Sequence, residues 1–301
     1  MHCSMSVWCE YVAGWAAGVS GLIIGHPLDT IKVRQQALGA VGALNVAKYT
    51  FKYEGVFAFY KGLLFPLLSA GVLNSVYFGV YGFSLSLFCN RKDKLSAEEN
   101  INHMKQNGLA VYLSGCVGGF AQAFITCPVD LIKIKLQTET GHNVKFMNTH
   151  EHDYRGSLDC VKRVFKRTGL KGCYKGLTVT LWRDIPSSGL YLLVYEKMLS
   201  FFHGGNVHSE LKFFSTVISG GTAGILSWAC IIPLDVLKSR IQADDTRSPT
   251  YSGIYDCFKK SYQNDGWKVF GRGFWVMCLR AFPVNAVSLL SYEFVLCHLC
   301  K

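Results

Sequence analysis

Pro27-Leu-Asp29-Thr-Ile-Lys32 recurs as Pro128-Val-Asp130-Leu-Ile-Lys133 and again as Pro233-Leu-Asp235-Val-Leu-Lys238. The copies stand 101 and 105 residues apart, so the chain of 301 residues is one unit written three times. Each copy ends an apolar, glycine-rich stretch. A proline, an acid and a base at three membrane-embedded helix ends predict a ring of charges that closes one end of a pore. Three units of about 100 residues each must share one core; we bound them at 1–90, 105–202 and 211–301.

The composition supports a membrane setting. Half the residues are hydrophobic and 17% are charged, with a mean hydropathy of +0.21, against about 25% charge in ordinary soluble domains. The net charge is +11. A nucleic-acid binder would gather its bases on one solvated face. Here they fall at the ends of apolar runs and in the connections, where anionic lipid attracts them. The twelve cysteines form no regular framework, and several lie within apolar segments, which predicts a reduced intracellular setting. Cys297-His-Leu-Cys300 has CxxC spacing but no second ligand pair, so we assign no metal and no cofactor. The N-terminus carries no cleavable presequence pattern.

Six apolar stretches are long enough to cross a bilayer: 7–36, 63–89, 109–137, 177–202, 211–242 and 274–299. Arg183, Asp184 and Arg280 interrupt two of them. Charge at mid-membrane faces a bundle interior or a water-filled cavity rather than lipid. The repeats agree beyond the proline motif. Gly14 and Gly18, Gly115 and Gly119, and Gly220 and Gly224 lie 13 and 9 residues before their prolines. GxxxG pairs of this kind let helix backbones approach closely. Downstream stand Tyr60-Lys61-Gly62, Tyr174-Lys175-Gly176 and Gly271-Arg272-Gly273. Each final glycine lies seven residues after Gly55, Gly169 or Gly266. Between odd and even spans, Asp159–Arg167 and Asp256–Tyr262 read as short interfacial helices with mixed faces. The His-rich connection at 138–153 reads as a mobile loop.

Proline, acid and base at this spacing, with GxxxG upstream and an aromatic-base-glycine triplet downstream, resemble the mitochondrial carrier family over essentially the whole chain. The resemblance implies an all-α membrane fold: three repeats of two transmembrane helices plus a short matrix helix, related by pseudo-threefold symmetry. It also implies a monomeric, multi-pass transporter of the mitochondrial inner membrane that works by alternating access, and no enzyme activity. Pro27, Pro128 and Pro233 would kink the odd helices. Asp29, Asp130 and Asp235 would then meet Lys133, Lys238 and Lys32 of neighbouring repeats as a matrix gate. Gln36, Gln137 and Gln242 match the family's braces beneath those pairs. Lys61, Gly62, Lys175, Gly176, Arg272 and Gly273 mark helix starts at which the family binds cardiolipin, consistent with an N-terminal helix dipole.

The opposite gate departs from the family pattern. Its copies read Tyr81-Gly82…Leu85, Tyr195-Glu196…Leu199 and Tyr292-Glu293…Leu296: all three bases and one acid are missing. Closure by apolar and tyrosine side chains is expected there. Seven residues after Gly62, Gly176 and Gly273 stand Ser69, Arg183 and Arg280, with Asp184 after Arg183. These match the family's substrate contact points. A guanidinium takes a carboxylate bidentately, and Asp184 neutralises an ammonium. The pattern resembles the carnitine/acylcarnitine and basic amino-acid branch, near a subgroup linked to choline and methylated basic amino acids. A quaternary ammonium also wants aromatic faces; Trp182, Tyr191 and Trp228 are the candidates. The expected cargo is therefore a small amino-acid-like or quaternary-ammonium metabolite. A nucleotide cofactor such as NAD would want more cavity cations, and a degenerate carrier serving as a scaffold would have no need of three charge pairs.

Overall fold

A computed structural model describes residues 7–39, 42–88, 108–139, 154, 156–202, 209–245 and 249–299. Most of the His-rich connection, at 140–153, lies outside these, as does Cys300. The described residues form nine α-helices: α1 (Val7–Ala37), α2 (Ala43–Glu54), α3 (Leu64–Phe88), α4 (Gly108–Thr138), α5 (Ser157–Cys173), α6 (Leu177–Phe202), α7 (Ser209–Ala243), α8 (Ile254–Asp265) and α9 (Phe274–Leu299). Short 3-10 turns at Val56–Tyr60 and Trp267–Gly271 lead into α3 and α9. In α5 the helical path breaks at Gly169, whose φ is +63°.

The six long helices close into a ring in which α1 packs on α9, α3 on α4, and α6 on both α4 and α7. Four of them, α3, α4, α7 and α9, lie in segments long and apolar enough to cross a membrane. The remaining expected spans, α1 and α6, have 31 and 26 residues, enough for about 30 Å of hydrocarbon at 1.5 Å per residue. Charge dilutes their apolar character: Asp29, Lys32 and Arg34 in α1, Arg183, Asp184, Glu196 and Lys197 in α6.

The fold is inside-out relative to a soluble domain. Large apolar side chains such as Leu68, Phe83, Trp182, Trp275, Leu279 and Phe294 are exposed on the outer surface, while the fully buried large side chains include Arg34, Lys238, His26, Gln36, Gln137 and Gln242. Lipid rewards the outer face and leaves the interior to polar pairing. Pro27, Pro128 and Pro233 all sit within continuous helices, and so do Pro186 and Pro283.

Two glycine sets position the site. Gly62, Gly176 and Gly273 adopt φ of +79°, +85° and +87°, a region costly for any residue with a Cβ. They also let each even helix begin hard against a neighbouring repeat: a Cβ on Gly62 would stand 3.0 Å from the Lys133 carbonyl, and one on Gly273 3.0 Å from the Lys32 side chain. The GxxxG pairs, alike in sequence, pack unequally. A Cβ on Gly115 would stand 2.8 Å from the Gly189 Cα, and one on Gly119 2.9 Å from the Asp184 carbonyl, so α4 and α6 touch backbone to backbone. A Cβ on Gly14 would meet nothing within 4 Å, and one on Gly224 only the Ala281 Cβ at 4.0 Å. The expectation of three equal close approaches therefore holds for the second repeat alone. The partner explains it: α6 presents Gly189, where α3 and α9 carry Ser75 and Ala286 thirteen residues after Gly62 and Gly273.

Candidate functional site

The odd helices α1, α4 and α7 carry their Pro-x-Asp-x-x-Lys segments to one level of the ring. Lys133 Nζ lies 2.8 Å from Asp29 Oδ2 and Lys32 Nζ lies 2.6 Å from Asp235 Oδ2; Lys238 pairs with Asp130. The i, i+3 spacing is what allows this. One turn of helix puts the acid and base on the same face but leaves each nearer a neighbouring helix than its own partner. The result is a closed cycle of pairs through all three repeats.

Each aspartate of the cycle also takes an arginine from an even helix. Arg183, on α6, reaches Asp184 Oδ1 through Nε at 2.6 Å, Asp235 Oδ1 through Nη1 at 3.0 Å and Asp130 Oδ2 through Nη2 at 3.5 Å. Arg280 Nε, on α9, lies 3.0 Å from Asp29 Oδ1, near enough for charge but without hydrogen-bond alignment. Five cations (Lys32, Lys133, Lys238, Arg183, Arg280) thus face four carboxylates (Asp29, Asp130, Asp184, Asp235) in one buried cluster. One positive charge is left over at the floor of the cavity, a place where an incoming carboxylate is favoured.

The other sequence-assigned residues divide. Gln36 does brace a pair, donating to Asp235 Oδ2 and to the Arg272 carbonyl, each at 3.0 Å. Gln137 instead donates to Thr30 Oγ1 at 3.0 Å, and Gln242 turns to the Lys175 carbonyl at 3.3 Å; neither touches a pair directly. Ser69 donates back to the Pro66 carbonyl at 3.3 Å and does not line the cleft at Arg280. Of the three aromatic candidates, Trp182 is 67% exposed and does not line that cleft. Tyr191 and Trp228 line that cleft, and Trp228 already lies 4.6 Å from Lys32 Nζ and 5.5 Å from the Arg183 guanidinium. His26, fully buried, bonds through Nε2 with the Lys61 carbonyl at 3.0 Å and stacks on Tyr60. That geometry ties α1 to the start of α3.

The bases expected to face lipid phosphate are already paired: Lys61 with Glu54 at 2.6 Å, Lys175 with Asp244 at 3.1 Å and Arg272 with Asp265 at 3.3 Å. The backbone N–H groups at the starts of α3, α6 and α9, beside Gly62, Gly176 and Gly273, remain to hold an anion there. On the opposite side, Tyr77 stacks on Tyr81 and Tyr191 on Tyr195, at 6.5 and 6.2 Å between ring centres. Tyr77 donates across to the Ser188 carbonyl at 3.4 Å. Among the described residues Glu196 and Glu293 form no ion pair, and the two tyrosine stacks lie within α3 and within α6.

A second ring of bases lies two residues beyond the lysines, and the sequence reading missed it. Arg34 donates to the Gln137 carbonyl at 2.8 Å, Lys135 to the Asp244 carbonyl at 3.0 Å and Arg240 to the Gln36 carbonyl at 3.1 Å. Each satisfies backbone at the end of a neighbouring odd helix, where a cation is doubly favoured. Arg34 also grips Glu54 (2.6 and 2.9 Å) and Arg240 grips Asp265 (2.6 Å) on the matrix helices. Burial alone would raise the Glu54 carboxyl; hydrogen bonds and charge from Arg34 and Lys61 hold it below the usual carboxylate range. Asp265 is likewise lowered against its burial, by Arg240 and Arg272. The signal was available as Glu54-Gly55 and Asp265-Gly266, each acid preceding a repeated glycine.

A family model described as "Mitochondrial carrier protein" matches residues 4–92, 105–206 and 209–301. Solute carrier family 25 member 45 of Homo sapiens is 37% identical over 290 residues, covering 95% of this chain and 97% of that protein. The mitochondrial basic amino acids transporter of Rattus norvegicus is 37% identical over 296 residues, covering 96% and 89%. Solute carrier family 25 member 48 of Mus musculus is 36% identical over 295 residues, covering 94% and 93%. With three matches in series and relatives aligned nearly end to end, the chain belongs to the mitochondrial carrier protein family and is a mitochondrial membrane transporter with that family's three-repeat helical fold.

Proposed function

We propose that the protein carries a small zwitterionic, amino-acid-like metabolite across the inner mitochondrial membrane by alternating access. Basic or methylated amino acids and carnitine are the leading candidates, and choline the weaker one because it has no carboxylate. The observation that carries this is Arg183, which bridges Asp130, Asp184 and Asp235 at once, with Arg280 beside Asp29. In this reading the two arginines are both substrate ligands and braces of the matrix gate. A substrate carboxylate competes with the gate aspartates for the guanidinium groups, while Asp184, freed from Arg183, accepts the substrate ammonium. Asp29, Asp130 and Asp235 are then left with one lysine each, and the gate opens at lower cost. The odd-helix prolines Pro27, Pro128 and Pro233 supply the bend about which the gate closes.

The repeats are bounded at 1–90, 105–202 and 211–301, the transporter works as a monomer, and cardiolipin binds the backbone N–H groups at Gly62, Gly176 and Gly273. Two observations support the substrate class: the cluster's surplus cation, and a relative whose printed name is a basic amino acids transporter. The test is uptake of labelled lysine, arginine, trimethyllysine, carnitine and choline into liposomes holding the purified protein. Arg183→Ala and Asp184→Asn should each abolish uptake of the carboxylate-bearing substrates. Unchanged uptake in both would remove the assignment.

A further inference from the structure

We propose that the cleft between α7 and α9 is a hydrocarbon subsite, so that the transported zwitterion carries an apolar substituent beyond its charged head. The proposal rests on the reading of Arg280 as a substrate contact. The cleft, together with the solvent at its open mouth, takes up about 570 Å³. Arg280 lines it together with Tyr191 and Trp228, the apolar side chains Ile225, Met277 and Val284, and one amide, Asn285. A carboxylate held at Arg280 would point the rest of the molecule along these walls. Apart from Arg280 no charged side chain lines the cleft, and Asn285 brings a single amide, so most of the wall offers a polar substrate nothing to pair with.

The space exists because the third repeat fails to close its helix pair. In the second repeat Gly115 and Gly119 bring α4 into backbone contact with α6; here Gly224 meets only the Ala281 methyl at 4.0 Å, and Gly220 only the Asn285 amide at 3.5 Å. The equivalent groove between α1 and α3, beside Gly14, Gly18 and Asn74, has no charged side chain in its lining. Of these two grooves, the α7–α9 cleft is the one that joins apolar walls to a site cation.

The probe is a series of N-alkyl-N,N-dimethylglycines with alkyl chains of one to six carbons, used to inhibit lysine uptake into proteoliposomes and to shift the thermal unfolding of the purified protein. Each methylene entering the cleft should tighten inhibition about fourfold, until the cleft is full. A Cβ on Gly224 has room, so Gly224→Leu fills the void without displacing backbone and should flatten the dependence on chain length. Met277→Ala enlarges it and should extend the tightening by at least one carbon. A flat dependence in the unaltered protein, or one that neither variant changes, overturns the proposal. The arginine reading fails separately: the shortest compound would then shift the thermal unfolding of the Arg183→Ala and Arg280→Ala proteins as strongly as that of the unaltered one.

Discussion

Arg183 is the side chain on which the most depends. Its planar fork meets three carboxylates from three directions, which a lysine ammonium cannot do from one point. Arg183→Lys should therefore keep the protein folded yet lower uptake by about 10- to 100-fold, the worth of one charge-assisted bond of ~1.5–3 kcal/mol. Measured initial rates with lysine or carnitine would check this, and near-normal rates would show that a single positive charge suffices. The positions of Arg183, Asp184 and Arg280 were legible from the seven-residue offset behind each repeated glycine. The bridging of Arg183 to Asp130 and Asp235 was not. It depends on how far α6 is turned and slid against α4 and α7, and that register is set by Gly189 packing on Gly115 rather than by any local pattern. Gln137 and Gln242 teach the same lesson. Equal spacing placed them one turn below their lysines, but the nearest acceptors decided where their amides went.

At the scale of the helices, the three matrix elements are not equal. α2 and α8 are anchored through Glu54 and Asp265 to Arg34 and Arg240, whereas α5 has Thr168 where those acids stand. Lys135, buried, donates to the Asp244 carbonyl in their place. Removing one partner of a buried pair strands the other, at a cost of about 3–5 kcal/mol. Glu54→Gln should accordingly lower the unfolding midpoint markedly in detergent. The Glu54 carboxyl is depressed in the folded protein, so its contribution is complete above the ordinary carboxylate pKa of about 4.3 and is lost as pH falls through the lower folded value. The gap between the unaltered protein and Glu54→Gln should be constant from pH 7 to about 5 and shrink only below about pH 4. Conversely, Thr168→Glu offers Lys135 the missing acid and should raise the midpoint, by about 2–4 °C for each kcal/mol gained. No rise would mean that α5 holds its end too far from Lys135. The absence of this acid could be read from the sequence once the Glu54-Gly55 and Asp265-Gly266 pattern was noticed. The unequal packing of the GxxxG pairs could not, because each pair depends on what the facing helix presents.

Across the whole molecule, three interlocked ion pairs draw the odd helices together at one end of the ring, whereas tyrosines and leucines occupy the other. Repeat counting made the six-helix ring and the matrix cycle legible, since both follow from threefold recurrence of short motifs. The bare side was legible as well, because Leu85, Leu199 and Leu296 stand where the family has bases. What it does to the cycle is an energetic matter. Alternation requires the two closed conformations to lie within a few kcal/mol of each other, and here only one is held by charge. Leu199→Lys combined with Leu296→Lys places a base on both α6 and α9, where Glu196 and Glu293 already wait. Whichever direction the pairing runs around the ring, one cross-helix pair forms when that side closes. A partly exposed pair is worth up to about 1 kcal/mol, a shift of about fivefold in favour of the matrix-open form. Cys278, which lines the cleft beside Arg280, reports the change. Its alkylation by a membrane-impermeant maleimide added on the intermembrane side, followed by mass spectrometry of that peptide, should slow, by up to that factor. Faster or unchanged alkylation would mean that the tyrosine side is not where the cavity opens.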